Sequence, residues 1–547
     1  MIKRLLILLI LSVAVPAYGA TYYLDSAATE AGCAGISADP CKELDHIEDD
    51  AWSSGDKVLL KCGGTWSKSA GDWGSVTDQA TIENDTNLTV GAYYLDGATP
   101  REVDGSTYKC SDVPAANPII DGDVDTASCA DVTYWGAIKI LGGSTGITLQ
   151  DIKFTRSYNG IYVRQEAGNS SAISDITIQR VQVDDVCLTG ISVTPNPASD
   201  DDVSNITISD STVTNTHIKF SGGASGWGCA IKCGAADSCT FTRNIVGQTY
   251  GEGICFHTEA DDGVASYNLV YNTDSAGIYI SSSDNVVVKN NYVIHGDSDW
   301  DNGGGRVNAG LGFGSEGDTT SDITDNSNCY FIGNVVIGYG SGFRATDGQD
   351  DADTSTGMNY VVNNTFIDND YNYSLSPGAD VEYEVTFQNN LSVVNDTSNS
   401  SHALPTAAPP AGYTFSGNGW DTSEAVDTDY CVQAGSSDCT DSGDITGDPD
   451  LVDPIACDAN GWRGCSPYTE PDWGDATLGA SSAFKDNATD LGTGSSYLLL
   501  NANSEWPDSV NTLNPDTYGW SFGSYAYGAT PVPLYPIQGA AGNFKLN

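Results

Sequence analysis

Small and apolar positions follow one another in a fixed order along the middle of the chain. The order is a small residue, a large aliphatic or aromatic residue, any residue, and then another apolar one. Alternate side chains of a β-strand point to opposite faces, so this order predicts short strands with one buried face. The pattern occupies residues 137–140, 160–163, 190–193, 230–233, 253–256, 277–280, 310–313 and 342–345.

The spacing of these strands indicates a repeat. Ala230 and Gly253 are 23 residues apart, and Gly253 and Gly277 are 24 residues apart. A period of this length is typical of a solenoid in which each repeat forms one coil. Longer intervals then correspond to coils that carry inserted loops. The sequence therefore predicts an all-β solenoid.

A second motif places asparagine between these strands. It occurs at Asn244, Asn268, Asn291, Asn334, Asn364 and Asn390. Asparagine tolerates the left-handed backbone of a tight bend, and its amide can bond to the same residue one coil away. We expect an internal ladder. Earlier coils carry Ile152, Val181 and Ser211 at this place, so the ladder should begin midway along the solenoid.

The first residues indicate export. Lys3 and Arg4 precede an apolar stretch over residues 5–15 and a small-residue stretch that ends at Gly19, which predicts a cleavable signal peptide over residues 1–19. No later apolar run approaches the roughly 18 residues that span a bilayer. We therefore expect a secreted or periplasmic protein with no membrane span.

Charge and cysteine content narrow the class further. The net charge is −51, with 22 Lys and Arg against 73 Asp and Glu, which argues against nucleic acid as a partner. Fifteen cysteines in an exported chain imply disulfides and at least one unpaired thiol. Local pairs are expected between residues eight apart, whereas the connectivity of Cys187, Cys229, Cys233, Cys239 and Cys255 stays open. The expected local pairs are Cys33 with Cys41, Cys431 with Cys439, and Cys457 with Cys465.

The two ends of the chain carry further motifs. The opening holds Thr21-Tyr22-Tyr23-Leu24-Asp25 and Gly63-Gly64-Thr65-Trp66, and the tail holds Gly447-Asp448-Pro449-Asp450 and Phe522-Gly523-Ser524-Tyr525. With the repeat, these segments resemble the pectate-lyase-like superfamily over residues 21–530. The resemblance implies a right-handed parallel β-helix with an N-terminal cap and an irregular C-terminal covering segment, a fold that mostly acts on extracellular polysaccharide.

The repeat also suggests how the chain is divided. We expect a signal peptide over residues 1–19, a cap and first coils over 20–135, a parallel β-helix core over 136–394, and an irregular C-terminal segment and tail packed on the helix over 395–547. The superfamily includes lyases, hydrolases and adhesins, so the fold alone does not define the activity.

Two columns of side chains are expected to face solvent on the strands of the repeat, because they alternate with the buried positions. We call these two columns the outward stripe. The first column holds Lys139, Tyr162, Ser192, Lys232, Cys255, Tyr279, Gly312 and Arg344, and the second holds Leu141, Arg164, Thr194, Gly234, His257, Ser281, Gly314 and Thr346. Basic residues are scarce in this chain, so their concentration on one stripe predicts an anionic ligand.

The stripe contains the groups that elimination from a uronic-acid polymer needs. Such a reaction requires a positive group or metal on the carboxylate, a base for the adjacent proton, and an acid for the leaving oxygen. Lys232 or Arg344 would neutralise the carboxylate, and His257 or Tyr279 would carry the proton. These four are the candidate catalytic residues.

Substrate-binding candidates lie around them. Lys139, Tyr162 and Arg164 belong to the stripe, and two inserted loops contribute Trp227 and Trp300, whose rings are suited to stacking on sugar faces. The second loop also carries candidate metal ligands. The alternating carboxylates Asp297, Asp299 and Asp301 offer the oxygen ligands that Ca²⁺ prefers, so calcium is a candidate cofactor.

The sequence leaves two other functions open. A glycoside hydrolase would need two carboxylates across the scissile bond. Glu252, Glu259 and Asp274 lie near the His257 strand, and Glu252 is the best single candidate. A non-catalytic adhesin or surface protein that self-associates would use the same flat stripe as a binding surface. A polysaccharide lyase is the favoured prediction, with an extracellular polysaccharide as partner.

Overall fold

The computed structural model is a stack of coils, and each coil contributes strands to three long parallel sheets. It describes residues 19–30, 33–48, 52–73, 80–113, 115–126, 129, 136–165, 171–195, 203–218, 228–296, 308–314, 326–346, 358–375, 384–393, 401–403, 413–421, 445–447, 451–453, 475–478, 482, 484–485, 488, 499–501, 511–513, 521, 525–526 and 532–533. The predicted signal peptide and the cysteines at 431, 439, 457 and 465 lie outside these residues, apart from Gly19.

Sheet 1 begins at the N-terminal cap and runs the length of the stack. In stacking order its parallel strands are Thr21–Leu24, Lys57–Lys61, Thr89–Asp96, Thr148–Gln150, Ile173–Gln179, Val203–Ser209, Thr240–Thr242, Val264–Ser266, Val287–Lys289, Tyr330–Ile332, Met358–Val362, Glu384–Gln388 and Tyr413–Ser416. One further strand, Thr99–Glu102, pairs antiparallel with Thr89–Asp96.

Sheet 2 follows sheet 1 within each coil. Its strands are Thr65–Ser67, Ile119–Asp121, Lys153–Ser157, Gln182–Val186, Thr212–Thr216, Ile245–Thr249, Leu269–Thr273, Tyr292–Ile294, Val335–Ile337, Thr365–Ile367, Leu391–Val393, Gly419–Asp421 and Ile445–Gly447.

Sheet 3 contains the strands of the repeat that the sequence identifies. They are Ala80–Ile82, Gly136–Leu141, Asn159–Arg164, Ile191–Thr194, Cys229–Gly234, Glu252–His257, Ala276–Ser281, Ala309–Gly314, Ser341–Thr346, Tyr371–Leu375 and Ser401–Ala403. The predicted all-β, right-handed parallel β-helix is confirmed.

Short elements complete the described residues. Two 3₁₀ helices, Leu44–Glu48 and Cys110–Asp112, lie near the N-terminal end. Toward the C-terminus, Leu451–Asp453 pairs with Asp475–Leu478, and a small sheet joins Leu499–Asn501, Asn511–Leu513, Tyr525–Ala526 and Val532–Pro533. Leu478 and Phe484 pack against the outer face of sheet 2, where the apolar residues Ile337 and Leu391 would otherwise face water.

The small residue that opens each repeat fits a narrow interior. A Cβ on Gly253 would lie 2.6 Å from Val270 Cγ1 and 2.4 Å from the carbonyl oxygen of Gly277. Sheets 2 and 3 are therefore too close there for a side chain. The larger apolar residues that follow, such as Ile254 and Phe256, are fully buried and form the continuous core.

The predicted asparagine ladder is present and continues to Asn418. The backbone N–H and the side-chain Nδ2 of each asparagine donate to Oδ1 of the next. For Asn268 and Asn291 both distances are 2.9 Å. Ser211 is the first rung, since its backbone N–H donates to Asn244 Oδ1 at 3.1 Å. The ladder therefore begins midway, as expected.

The ladder asparagines themselves do not have the left-handed backbone that was expected of them. The left-handed backbone belongs to the residue before each ladder position, with φ of 55° at Arg243, 58° at Tyr267 and 53° at Asn290. The ladder asparagines are selected for their buried amide hydrogen bonds, which neither leucine nor serine can reproduce in full.

Five disulfides hold the described coils. Cys33 pairs with Cys41, as predicted, and the pairs that the sequence left open are Cys129–Cys187, Cys229–Cys255 and Cys233–Cys239, with Cys62–Cys110 in the cap. Cys329 is a buried thiol. Within the described residues, no helix is long and apolar enough to cross a membrane.

Candidate active site on sheet 3

The two columns of the outward stripe have the register that the sequence predicts. Tyr162 pairs with Lys139 and Ser192, and Lys232, Cys255, Tyr279, Gly312 and Arg344 follow on consecutive strands. In the second column Gly234 pairs with His257, and His257 pairs with Ser281. Neighbouring strands lie about 4.8 Å apart, so successive candidates are within reach of one ligand.

The expectation that the stripe faces solvent is wrong for part of it. Lys139 is 2% exposed and Tyr279 is 5% exposed, whereas Tyr162, Lys232, His257 and Arg344 are half-buried. Tyr279 is covered because its side chain lies along the sheet. A Cβ on Gly312 would meet Tyr279 Cδ2 at 2.5 Å. Lys139 and Tyr279 therefore each offer only a small part of their surface to a polymer.

Three candidate catalytic residues come together. The rings of His257 and Tyr279 are 5.4 Å apart between centroids, at an interplanar angle of 61°. Arg344 lies close enough to Tyr279 for the two side chains to interact electrostatically. The imidazole and the phenol therefore lie on adjacent strands, and the guanidinium lies two strands beyond the phenol.

Lys232 lies at the edge of this patch. A Cβ on Gly234 would lie 3.0 Å from Lys232 Cε and 3.8 Å from Lys232 Nζ, so the lysine side chain runs over Gly234. Gly234 is the strand neighbour of His257. The absence of a side chain at Gly234 thus lets the lysine reach toward the second column.

Arg344 carries its charge in an unusual setting. Burial lowers the pKa of its guanidinium, although the neighbouring Tyr279 acts in the opposite direction. Within the part of the chain that the structure describes, no carboxylate forms an ion pair with it. An arginine remains charged in proteins, so this half-buried cation is available to an anion.

Other arginines have structural partners. Arg180 Nη2 lies 2.8 Å from Asp151 Oδ2, and Arg243 Nη2 lies 2.7 Å from Asp210 Oδ2, each joining one coil to the coil before it. These two arginines, which lie outside the stripe, therefore stabilise the stacking of the coils. Arg344 differs from them in having no such partner among the described carboxylates.

The binding candidates Tyr162 and Arg164 lie on an earlier strand of sheet 3 than His257, on the opposite side from Arg344. Arg164 lies over the ring of Tyr162, 5.5 Å from its centroid, and Arg164 Nε is buried without a hydrogen bond within the described residues. The pair is three strands from His257, on the order of 14 Å along the stack. Trp227 and Trp300 lie outside the described residues.

The sequence did not identify Glu252 as the partner of His257. Glu252 Oε2 lies 3.1 Å from His257 Nε2, and the Glu252 side chain is only 3% exposed. The two residues are five positions apart on one strand, where simple alternation places them on opposite faces. The close packing at Gly253 interrupts that alternation and brings both side chains to the outer face.

Two groups of residues have donor atoms close enough to hold a metal. One consists of Glu30, Cys33, Cys41 and His46, and the other of Cys229, Glu252, Cys255 and His257. In both groups the cysteines form a disulfide, which removes their thiolates as ligands. Glu252 and His257 alone are fewer than the three protein ligands of a catalytic zinc site. The calcium candidates Asp297, Asp299 and Asp301 lie outside the described residues.

Comparisons with known proteins agree on the fold. A family model described as a right handed beta helix region matches residues 136–336. With the three parallel sheets, this match shows a right-handed parallel β-helix, the fold that the resemblance implies. A search of the curated proteins finds no match.

Several solved structures are similar to this chain. Pectate lyase Pel9A has 15% identity and a TM-score of 0.49, with 94% of this chain and 97% of that chain covered. An alginate lyase from Paenibacillus sp. str. FPU-7 has 11% identity and a TM-score of 0.39, with 72% and 99% covered. The GH136 lacto-N-biosidase from Eubacterium ramulus has 12% identity and a TM-score of 0.39, with 70% and 68% covered. These values carry no argument about activity.

Proposed function

We propose that this chain is an exported polysaccharide lyase that cleaves a uronate-containing glycan by β-elimination. The observation that carries the proposal is the half-buried Arg344, which has no carboxylate partner among the described residues and interacts electrostatically with Tyr279, the ring neighbour of His257. In a chain of net charge −51, a cation kept apart from carboxylates is suited to an anionic substrate.

The proposed reaction uses the patch as a unit. Arg344 or Lys232, which lie four strands apart, neutralises the uronate carboxylate and so stabilises the charge that develops when the C5 proton leaves. One of His257 and Tyr279 removes that proton. Its electron pair forms the C4–C5 double bond, the C4–O bond breaks, and the other residue protonates the leaving oxygen. Tyr162 and Arg164 extend binding along the stack.

Two remaining assignments are part of the proposal. Calcium bound by Asp297, Asp299 and Asp301 would help to hold acidic sugars, and Trp227 and Trp300 would stack on them. Export is consistent with the disulfides of the described coils, which form in oxidising compartments.

A glycoside hydrolase is less well supported by this site. Both carboxylates of such an enzyme must reach the substrate. The best candidate, Glu252, has a side chain that is 3% exposed and bonded to His257. An adhesin would need no clustering of proton carriers.

The experiment is an activity screen of the mature chain on acidic polysaccharides, with calcium and with a chelator. Elimination yields an unsaturated uronate that absorbs in the ultraviolet. We expect this absorbance to rise, and Arg344→Ala or Tyr279→Phe to abolish the rise. New reducing ends without the absorbance would indicate hydrolysis, and neither product would favour an adhesive role.

A further inference from the structure

The Glu252 carboxylate is placed beside the proposed site but away from any polymer. It stands opposite Cys229 on the neighbouring strand, and its side chain is 3% exposed, against 15% for His257. A polysaccharide can therefore contact the imidazole but not the carboxylate. Any effect of Glu252 on the reaction has to act through His257.

The hydrogen bond between the two side chains determines where the imidazole carries its proton. Glu252 Oε2 lies 3.1 Å from His257 Nε2. An ionised carboxylate has no hydrogen to donate, so Nε2 must be the donor. In a neutral imidazole the other nitrogen, Nδ1, then has no hydrogen and can accept one.

The surroundings of Glu252 hold this arrangement in place. Cys229 Sγ lies 3.3 Å from Glu252 Oε2, and the Cys229–Cys255 disulfide links the two adjacent strands. Cys229, Cys255, Ala276 and Tyr279 form a small apolar cluster at this place. Within it, the carboxylate keeps a fixed position next to the imidazole.

We propose that Glu252 is a positioning residue that fixes His257 in the tautomer with hydrogen on Nε2, so that Nδ1 accepts the C5 proton of the substrate. The tautomer follows from the hydrogen bond of His257 to an ionised Glu252 carboxylate, whereas the use of Nδ1 in the reaction rests on the proposed function. Tyr279 is then the residue that protonates the leaving oxygen, since a phenol carries its proton near neutral pH.

The tautomer is tested by NMR of the whole mature chain labelled with ¹⁵N in histidine. The sequence has five histidines, and the signals of His257 are identified by their loss in His257→Asn. We expect the neutral ring to carry its hydrogen on Nε2, and a mixture of tautomers to appear in Glu252→Gln. A hydrogen on Nδ1 in the unsubstituted protein would overturn the proposal, as would one equivalent of zinc bound by His257 Nε2 in the isolated protein.

The reaction step is tested by kinetics. We expect Glu252→Gln to lower kcat by about 10- to 1000-fold, less than the about 100- to 10,000-fold that general acid–base catalysis contributes as a whole because His257 itself remains, while KM changes by less than about twofold. Glu384→Gln, at an exposed position of sheet 1, is the control and should change neither value. A rise in KM with kcat unchanged would show that Glu252 does not act through the proton acceptor.

The two tests separate the failure of this inference from failure of the proposed function. If no polysaccharide is cleaved but NMR finds the Nε2–H tautomer and its loss in Glu252→Gln, the geometry is correct and the lyase proposal is wrong. If cleavage is found and the tautomer is unaffected by Glu252→Gln, the lyase proposal stands and the inference is wrong.

Discussion

The asparagine ladder gives the most quantitative prediction about stability. Asn291 Oδ1 accepts from the backbone N–H and Nδ2 of Asn268, both at 2.9 Å, and Asn291 Nδ2 donates to Ala265 O at 3.0 Å and Asn334 Oδ1 at 2.9 Å. All three asparagines are fully buried. Asn291→Ala therefore leaves the backbone N–H and one of the two side-chain N–H groups of Asn268 without an acceptor, while the other keeps its bond to Phe241 O, and removes a donor from two oxygens.

The expected loss follows from these contacts. A buried polar group without a partner costs about 1–3 kcal/mol, so the two donors of Asn268 give about 2–6 kcal/mol, with a central value of about 4 kcal/mol. Asn291→Ser should lose less, because its hydroxyl can replace one acceptor and one donor, as the Ser211 hydroxyl does by accepting from Val181 N–H and donating to Ser209 O.

Denaturant unfolding monitored by circular dichroism measures the loss as a change in the extrapolated free energy of unfolding. Glu384→Ala, at an exposed position of sheet 1, is the control and should lie within about 0.5 kcal/mol of the unsubstituted protein. A loss below about 1 kcal/mol for Asn291→Ala, or an equal loss for the serine and alanine variants, would refute the reasoning.

Three further predictions concern charge and packing. Burial raises the pKa of Asp261 to about 6. Between about pH 4 and 6 the folded protein therefore binds more protons than the unfolded chain, and its free energy of unfolding falls as the pH rises through this range. Asp261→Asn should therefore raise the free energy of unfolding by about 1–2 kcal/mol at pH 8, after allowance for partial exposure, with little change at pH 4; Glu384→Gln, at an exposed position of sheet 1, should show no such difference. Arg344→Ala should abolish lyase activity and leave the melting temperature unchanged. Arg243→Ala, which breaks the ion pair with Asp210, should lower the melting temperature and leave activity intact. Loss of activity in Arg243→Ala, or full activity in Arg344→Ala, would contradict the proposed site. Gly253→Val should fail to yield folded protein, because even a Cβ would lie 2.4 Å from a backbone oxygen. Normal yield with native circular dichroism would refute the packing argument.

The repeat made the fold predictable. Each coil needs the same small residue, the same buried apolar positions and the same amide, so the register of the strands could be derived from the spacing of residues such as Gly253 and Gly277. Parallel stacking then fixed which side chains of the stripe are neighbours. The adjacent strands of His257 and Tyr279 could be predicted for this reason.

The environment of those side chains could not be predicted in the same way. Exposure depends on how a side chain lies across the sheet, as Tyr279 lies over Gly312. The link between Glu252 and His257 depends on the local break in alternation at Gly253. Both features arise from packing between coils, which a pattern within one coil does not contain.

The central claim is elimination at the patch formed by His257, Tyr279 and Arg344. The most direct test follows the ultraviolet absorbance of a purified polyuronate incubated with the mature chain, in parallel with Arg344→Ala and the control Arg243→Ala. The account predicts a rise for the unsubstituted protein and for the control, and none for Arg344→Ala. An equal rise in all three, or no rise on any acidic polysaccharide, would contradict it.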